Sequence, residues 1–156
     1  MRRIFLSVLA AALLTLANHA FAVNGVHQEY DTFSIDYPEG WAADRKATAS
    51  YETFTLSNPE ETALVSVVVK PTSGMTSQNY AEVTRKNLKG SALRDNGDGM
   101  YSFTYDMDGI KCRSLLGVKG EQGFCLTVAG QDPNLKAVVA SVTFKVKTKL
   151  NLDNLF

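Results

Sequence analysis

Short apolar segments, most of them alternating with polar residues, recur along the chain between residues 32 and 129. Alternation with a period of two places successive side chains on opposite faces of a β-strand. In the first segment, Phe33, Ile35 and Tyr37 therefore share one face, and Pro38 ends the strand. The pattern predicts six strands, at residues 32–37, 51–56, 63–70, 100–106, 110–118 and 123–129.

The third predicted strand, 63–70, differs from the others because it is apolar almost throughout. Val65, Val67, Val68 and Val69 leave little alternation. Continuous β-branched residues are typical of a central strand that is covered on both faces. We therefore expect helices or long loops on each side of the sheet.

Two other segments repeat their apolar residues with the period of an α-helix. The first spans residues 75–90, with Thr76 as the predicted N-cap and Gly90 as the C-terminal stop. The second opens at Asp132 and Pro133, a pair that favours the start of a helix. Strands and helices together predict an α+β fold, an antiparallel sheet of about six strands flanked by helices. The apolar face of the second helix would hold Leu135, Val138, Val139 and Val142.

The N-terminus has the three parts of a cleavable signal peptide. Arg2 and Arg3 supply the basic start, residues 4–16 are largely apolar, and Ala20 and Ala22 supply the small side chains before the cut. This largely apolar run of 13 residues falls short of the roughly 20 that cross a bilayer. We therefore expect cleavage after Ala22, a periplasmic or secreted protein, and no transmembrane segment in the mature chain.

The predicted organisation has four parts: a signal peptide (1–22), a polar tether (23–31), a single α+β domain (32–144) and a C-terminal tail (145–156). The whole chain has 16 basic and 16 acidic residues, and without the two leader arginines the mature part has a formal net charge of −2. The charges are interspersed and no polybasic stretch occurs. This distribution argues against a nucleic-acid partner.

Two turns connect the last three predicted strands and set the geometry of the cysteines. Asp108 and Gly109 accept the positive φ angles of a two-residue hairpin. Residues 119–122 form a looser turn, which places Leu116 opposite Cys125 and leaves Cys112 four residues away along the ladder.

Cys112 and Cys125, the two cysteines of the chain, form the candidate disulfide. Disulfides persist where exported proteins act. Against this, four residues at about 3.3 Å each exceed the reach of a disulfide, although a bulge or a shifted turn would shorten that distance. A disulfide and two buried thiols therefore both stay open.

The sequence offers few groups for catalysis. His27, in the predicted tether, is the one histidine of the mature chain, which removes most routes to acid–base catalysis near neutral pH and to histidine metal sites. No Gly-x-Ser-x-Gly, His-Glu-x-x-His, Cys-x-x-Cys or glycine-rich phosphate loop occurs. We therefore predict no catalytic residue, no cofactor and no resident metal.

Residues 94–99 superficially resemble a calcium loop. When Gly99 is aligned with the invariant glycine of an EF-hand loop, Arg94 stands where the first carboxylate belongs, so the template fails. The residue types favour a plain turn, in which they are common, over a calcium site. A looser calcium site would use Asp95, Asp98 and either Asp106 or Asp108.

Aromatic residues offer two alternatives, a ligand groove or the cover of a core. Tyr101, Phe103 and Tyr105 alternate along one predicted strand, which favours a core beneath a helix. The full candidate set for a ligand groove is Tyr37, Trp41, Tyr51, Tyr101, Phe103 and Tyr105.

The order of elements and several local sequences resemble the PsbP-like and DcrB-like families. The resemblance rests on residues 33–41 (FSIDYPEGW), on residues 79–82 (NYAE), on Gly109 in the hairpin and on residues 140–144 (ASVTF). It spans most of residues 30–144. The resemblance implies an antiparallel sheet flanked by helices, no catalytic activity, and binding of a protein partner.

The leading hypothesis is therefore an exported, noncatalytic interaction domain that binds a protein partner or a hydrophobic segment. The alternative is a periplasmic protein that binds a small ligand or calcium. A third hypothesis is an enzyme whose catalytic groups follow none of the familiar motifs.

Overall fold

A computed structural model describes residues 25–145, 152, 155 and 156. The predicted signal peptide, residues 1–22, and most of the predicted tail lie outside these residues. The strands are β1 (Gly25–Glu29), β2 (Phe33–Pro38), β3 (Ala42–Ala47), β4 (Glu52–Ser57), β5 (Ala63–Pro71), β6 (Arg94–Asp95), β7 (Met100–Met107), β8 (Ile110–Lys119), β9 (Gln122–Gly130) and β10 (Thr143–Phe144). The helices are α1 (Ser77–Asn87) and α2 (Leu135–Ser141). Neither of these helices is long and apolar enough to cross a membrane.

Seven strands form one antiparallel sheet in the order β3-β4-β5-β9-β8-β7-β6. The six strands predicted from the sequence correspond to β2, β4, β5, β7, β8 and β9. The predicted α+β fold, an antiparallel sheet flanked by helices, is confirmed. β5 is central, as predicted, but its two faces differ: Val65 and Val67 are buried, whereas Leu64 and Val68 are half-buried. The second face of the sheet is therefore covered only in part.

Both predicted turns are present. The β7–β8 hairpin closes through Asp108 and Gly109, whose φ angles are 53° and 84°. These are the left-handed values that a two-residue hairpin needs. The β8–β9 turn has the predicted register, with Lys119 opposite Gln122.

A second antiparallel sheet has the order β1-β2-β10. β1 falls within residues 23–31, which the sequence predicted as a tether, and this part of the prediction is corrected. Gly25 to Glu29 pair in register with β2. Backbone hydrogen bonds hold this polar segment in the sheet although its side chains alternate only weakly, and Val26 packs against the main core.

The main core lies between one face of the large sheet and a layer formed by β2, β10 and α2. Phe33 and Ile35 of β2 are fully buried against it. Trp41, in the segment that follows β2, is also buried there. The predicted apolar face of the second helix is confirmed, since the core includes Leu135, Val138, Val139 and Val142.

A smaller core lies on the opposite face of the large sheet, beneath α1. Its members are Tyr80 and Ala81 of α1 together with Phe103, Leu116 and Cys125 of the sheet. Burial of Tyr80 raises the pKa of its phenol far above the ordinary value. The aromatic strand β7 therefore covers a core beneath a helix, as the alternation predicted.

The ends of α1 are fixed by local contacts. The side chain of Thr76 accepts a hydrogen bond from Asn79 N at 3.2 Å, which confirms the predicted N-cap. At the other end, Lys89 takes the left-handed conformation (φ 53°) in place of Gly90. Gly90 is needed for another reason: a Cβ there would lie 2.4 Å from Cδ2 of Phe103.

Cys112 and Cys125 are free, buried cysteines in the structure. Cys125 stands opposite Leu116 and Cys112 opposite Ala129, so the predicted separation of four residues along the ladder is confirmed. At about 3.3 Å per residue this exceeds disulfide reach. Burial raises the pKa of both thiols. The geometry therefore favours the two buried thiols over the candidate disulfide.

A buried polar junction joins the β4–β5 turn to the chain after β9. Asn58 is 2% exposed. Its Oδ1 accepts from the backbone N of Thr62 (2.8 Å) and of Ala63 (2.9 Å). Its Nδ2 donates to Thr62 Oγ1 (2.9 Å) and to Asp132 Oδ2 (3.0 Å). One buried side chain thus satisfies polar groups from two separate segments.

Replacing Asn58→Ala should lower the free energy of unfolding by about 2–3 kcal/mol, because buried donors and acceptors lose their partners. Chemical denaturation measures this change. Asn87→Ala is the control, since Asn87 is exposed at the end of α1, and should change stability by less than about 0.5 kcal/mol. Equal effects of the two substitutions would contradict the role of the junction.

The cysteines predict a second outcome. In the native protein, DTNB should react slowly with both thiols, because they are buried and their raised pKa values keep thiolate scarce. Unfolding without reductant should expose two reactive thiols per chain. No reactive thiol after unreduced unfolding would show a disulfide instead.

Candidate functional site

A groove of about 730 Å³ lies where β8 extends past the end of β9. The β8–β9 ladder starts at Cys112, whereas the β7–β8 ladder includes Ile110 and Lys111. β9 ends at Gly130, and the chain turns through residues 131–134 into α2. The start of β8 therefore forms one side of the groove, and the turn with α2 forms the other.

Apolar side chains line the floor and part of the rim. Ile110 and Phe156 line the groove and are 51% and 42% exposed. Met107, the cross-strand partner of Ile110, is 46% exposed. An apolar cluster that faces water is typical of an interaction surface. The floor is the edge of the main core, to which Val128, Leu135 and Leu155 belong.

The charged residues of the groove are mostly basic. Lys111 and Arg113 come from β8 and Lys136 comes from α2, so both sides carry positive charge. In the described part of the chain, neither lysine takes part in an ion pair. Arg113 Nη1 donates to the backbone oxygen of Leu155 at 3.5 Å. The groove therefore presents a positive rim around an apolar floor.

In the described part of the chain, Asp132 is the one acidic residue that lines the groove, and its carboxylate is engaged by the protein itself. Oδ1 accepts from the backbone N of Asn134 at 2.7 Å, and Oδ2 accepts from Asn58 at 3.0 Å. Asp132 therefore shapes the turn into α2 and offsets the rim charge only in part.

Gly130 fixes how closely this turn approaches the β4–β5 turn. Its φ is +78°, and a Cβ there would lie 1.8 Å from the backbone oxygen of Thr62. Gln131 N donates to the same oxygen at 3.1 Å. Glycine thus allows the two turns to contact each other. The turn after β9, which forms one side of the groove, is therefore connected to the buried junction around Asn58.

The carboxylates proposed as calcium ligands take part in turns. Asp95 Oδ1 accepts from the backbone N of Gly97 at 2.8 Å, and residues 97–99 all have positive φ, so the segment is a tight turn. Asp106 accepts from the backbone N of Gly109 at 2.7 Å in the hairpin. Within residues 25–145 and the described tail residues, no cluster of three His, Cys, Asp or Glu side chains could hold a metal.

The aromatic candidates do not share one surface. Tyr37 and Trp41 belong to the main core, and Tyr51 is exposed. Tyr101, Phe103 and Tyr105 lie with the smaller core on the other face. The structure therefore separates the residues that would have lined an aromatic ligand groove.

His27 lies on the outer strand β1. Its Nδ1 is 2.5 Å from Asp36 Oδ1 on β2, and both side chains are exposed. The pair joins two strands at the surface, so His27 is held by a strand rather than by a tether.

Sequence reasoning missed the groove because three separate segments of the chain build it, residues 110–113, 128–136 and 155–156. A signal for it does exist at the β7–β8 hairpin. Met107 and Ile110 flank the two turn residues, a place where polar residues are common. The lining side chains supply apolar area and positive charge, which suits binding of an anionic, partly apolar group.

The fold is similar to the solution structure of cyanobacterial PsbP (CyanoP) from Synechocystis sp. PCC 6803, with a TM-score of 0.50 and 12% sequence identity. The match covers 78% of this chain and 92% of that chain. No protein-family model and no curated protein matches the chain. The likeness shows the fold alone, and the DcrB-like part of the resemblance stays a prediction. The chain therefore has a PsbP-like fold.

Proposed function

We propose that the chain is an exported, noncatalytic interaction domain that binds a protein partner in the groove beside the β7–β8 hairpin. The observation that carries the proposal is the pair of exposed apolar residues that line the groove, Ile110 and Phe156. Contact between apolar area and water is unfavourable, so a partner that buries this area lowers the free energy of the complex.

The chemistry of the lining supports binding rather than catalysis. Lys111, Arg113 and Lys136 can donate hydrogen bonds and attract anions. The carboxylate of Asp132 is held by Asn58 and Asn134, which leaves it poorly placed to act as a general base. The PsbP-like fold agrees with this role, since the resemblance implied a noncatalytic protein.

The order of residues at the N-terminus supports export. A basic start, a largely apolar stretch of 13 residues and Ala20-x-Ala22 follow one another as in cleavable leaders. The proposal places the mature protein in the periplasm or outside the cell.

Site-specific photo-crosslinking tests the binding site in the cells that make the protein. A benzophenone amino acid at position 110 should give discrete adducts with a protein partner, because Ile110 is exposed on the rim. Position 83 is the matched control, since Val83 is 47% exposed on α1 and Ile110 51% exposed. No adduct at position 110, or the same adducts at position 83, would contradict the proposed site.

Export has its own test. N-terminal sequencing of the exported chain should begin at Val23, because Ala20 and Ala22 precede the predicted cut. Ala22→Glu should block cleavage and leave the longer precursor, since a small side chain is needed there. A cytosolic protein that begins at Met1 would overturn this part of the proposal.

A further inference from the structure

We propose that the groove recognises a protein segment in which apolar side chains are flanked by carboxylates. This inference rests on the proposed function and names the chemistry of the partner. Two features of the groove carry it: apolar area that faces water and positive charge on both sides of that area.

The apolar feature sets the first requirement. Ile110 and Phe156 lie half in water above a floor of buried core residues. Met107, which stands opposite Ile110 in the hairpin, is exposed next to the groove but outside its lining. An apolar side chain of the partner would displace water from both the rim and the floor.

The charges set the second requirement. Lys111 and Arg113 are two residues apart on β8, so they point to the same face of the strand. Lys136 stands on the opposite side of the groove, on α2. Among the described residues, Asp132 is the one acidic side chain of the lining, so the described lining side chains have a formal charge of +2. A segment that lies between the two sides therefore meets positive charge from both, and carboxylates complement it.

The nearest acidic neighbour on β7 is Asp106, which lies outside the groove lining. Asp106 stands opposite Lys111 in register, and its Oδ1 accepts from the backbone N of Gly109. The three cations, in contrast, line the groove.

The shape favours a protein segment over a single acyl chain. Sites for small apolar ligands enclose most of the ligand surface. This groove is open to solvent on one side and continues onto the exposed hairpin. An extended peptide can lie along such a surface and place alternate side chains on the floor and against the rim.

Fluorescence anisotropy with the purified chain tests the proposal. The probe is a short labelled peptide with alternating leucine and aspartate, and its analogues carry asparagine or lysine in place of aspartate. The aspartate peptide should bind about fivefold more tightly than the asparagine analogue, and the lysine analogue should bind least. Added sodium chloride should weaken binding of the aspartate peptide most.

Charge-neutralising variants locate the effect. The double variant Lys111→Gln and Lys136→Gln should bind the aspartate and asparagine peptides equally. Lys119→Gln is the matched control and should leave the preference unchanged, because Lys119 is an exposed lysine at the other end of the same strand. Equal melting temperatures of the variants confirm that folding is unaffected.

Three outcomes would overturn the inference. They are equal binding of the aspartate and asparagine peptides, an unchanged preference in the double variant, and tighter binding to phosphatidylglycerol vesicles than to the aspartate peptide. If crosslinks at position 110 persist in the first case, the groove binds proteins without selecting carboxylates, and only the inference fails. If those crosslinks are also absent, the proposed function fails with it.

Discussion

Burial of one face of the seven-stranded sheet determines where the other elements lie. On that face, Phe54, Leu56, Val65 and Val67 are fully buried beneath β2 and its neighbours. Aromatic rings connect the layers, as in the pair Phe33 and Phe54, whose ring centroids are 5.8 Å apart. Because each Å² of buried apolar area contributes about 25 cal/mol, this contact outweighs the weak local preferences of the short strands around it.

A buried carboxylate adds a directional contact between the same two layers. Glu52 of β4 accepts a hydrogen bond from Arg45 Nε at 2.7 Å and another from the hydroxyl of Thr32, next to β2. The guanidinium of Arg45 lies 4.6 Å from the ring centroid of Tyr30. A buried carboxylate without such partners would cost several kcal/mol. Glu52 therefore stabilises the register of β3, a strand whose own side chains are all exposed.

The sequence predicted the elements that bury a periodic apolar face. β2, β4 and the first part of β7 alternate, β8 and β9 are largely apolar between turn residues, and α1 and α2 carry helical periodicity, so their positions followed from local physics. β1 and β3 were not predicted, because backbone pairing rather than a buried apolar face makes them strands. The groove was not predicted, because its lining forms only when β8, the turn after β9 and the chain end come together in the fold. A local sequence pattern does not show which distant segments will be neighbours.

Two parts of the large sheet are left partly uncovered by the rest of the fold. The residues in each part indicate which of the two is suited to binding a partner. On the second face, beyond α1, the half-buried side chains include Thr53, Thr55 and Ser66. Their hydroxyl groups hydrogen-bond to water, and the apolar residues of that face, Leu64 and Val68, are half-buried and so less exposed than Ile110. At the groove, Ile110 and Phe156 expose apolar area beside cations that repel one another. A partner that covers the groove would bury this apolar area and neutralise these cations, and both contributions favour binding. The groove is therefore the better candidate for recognition.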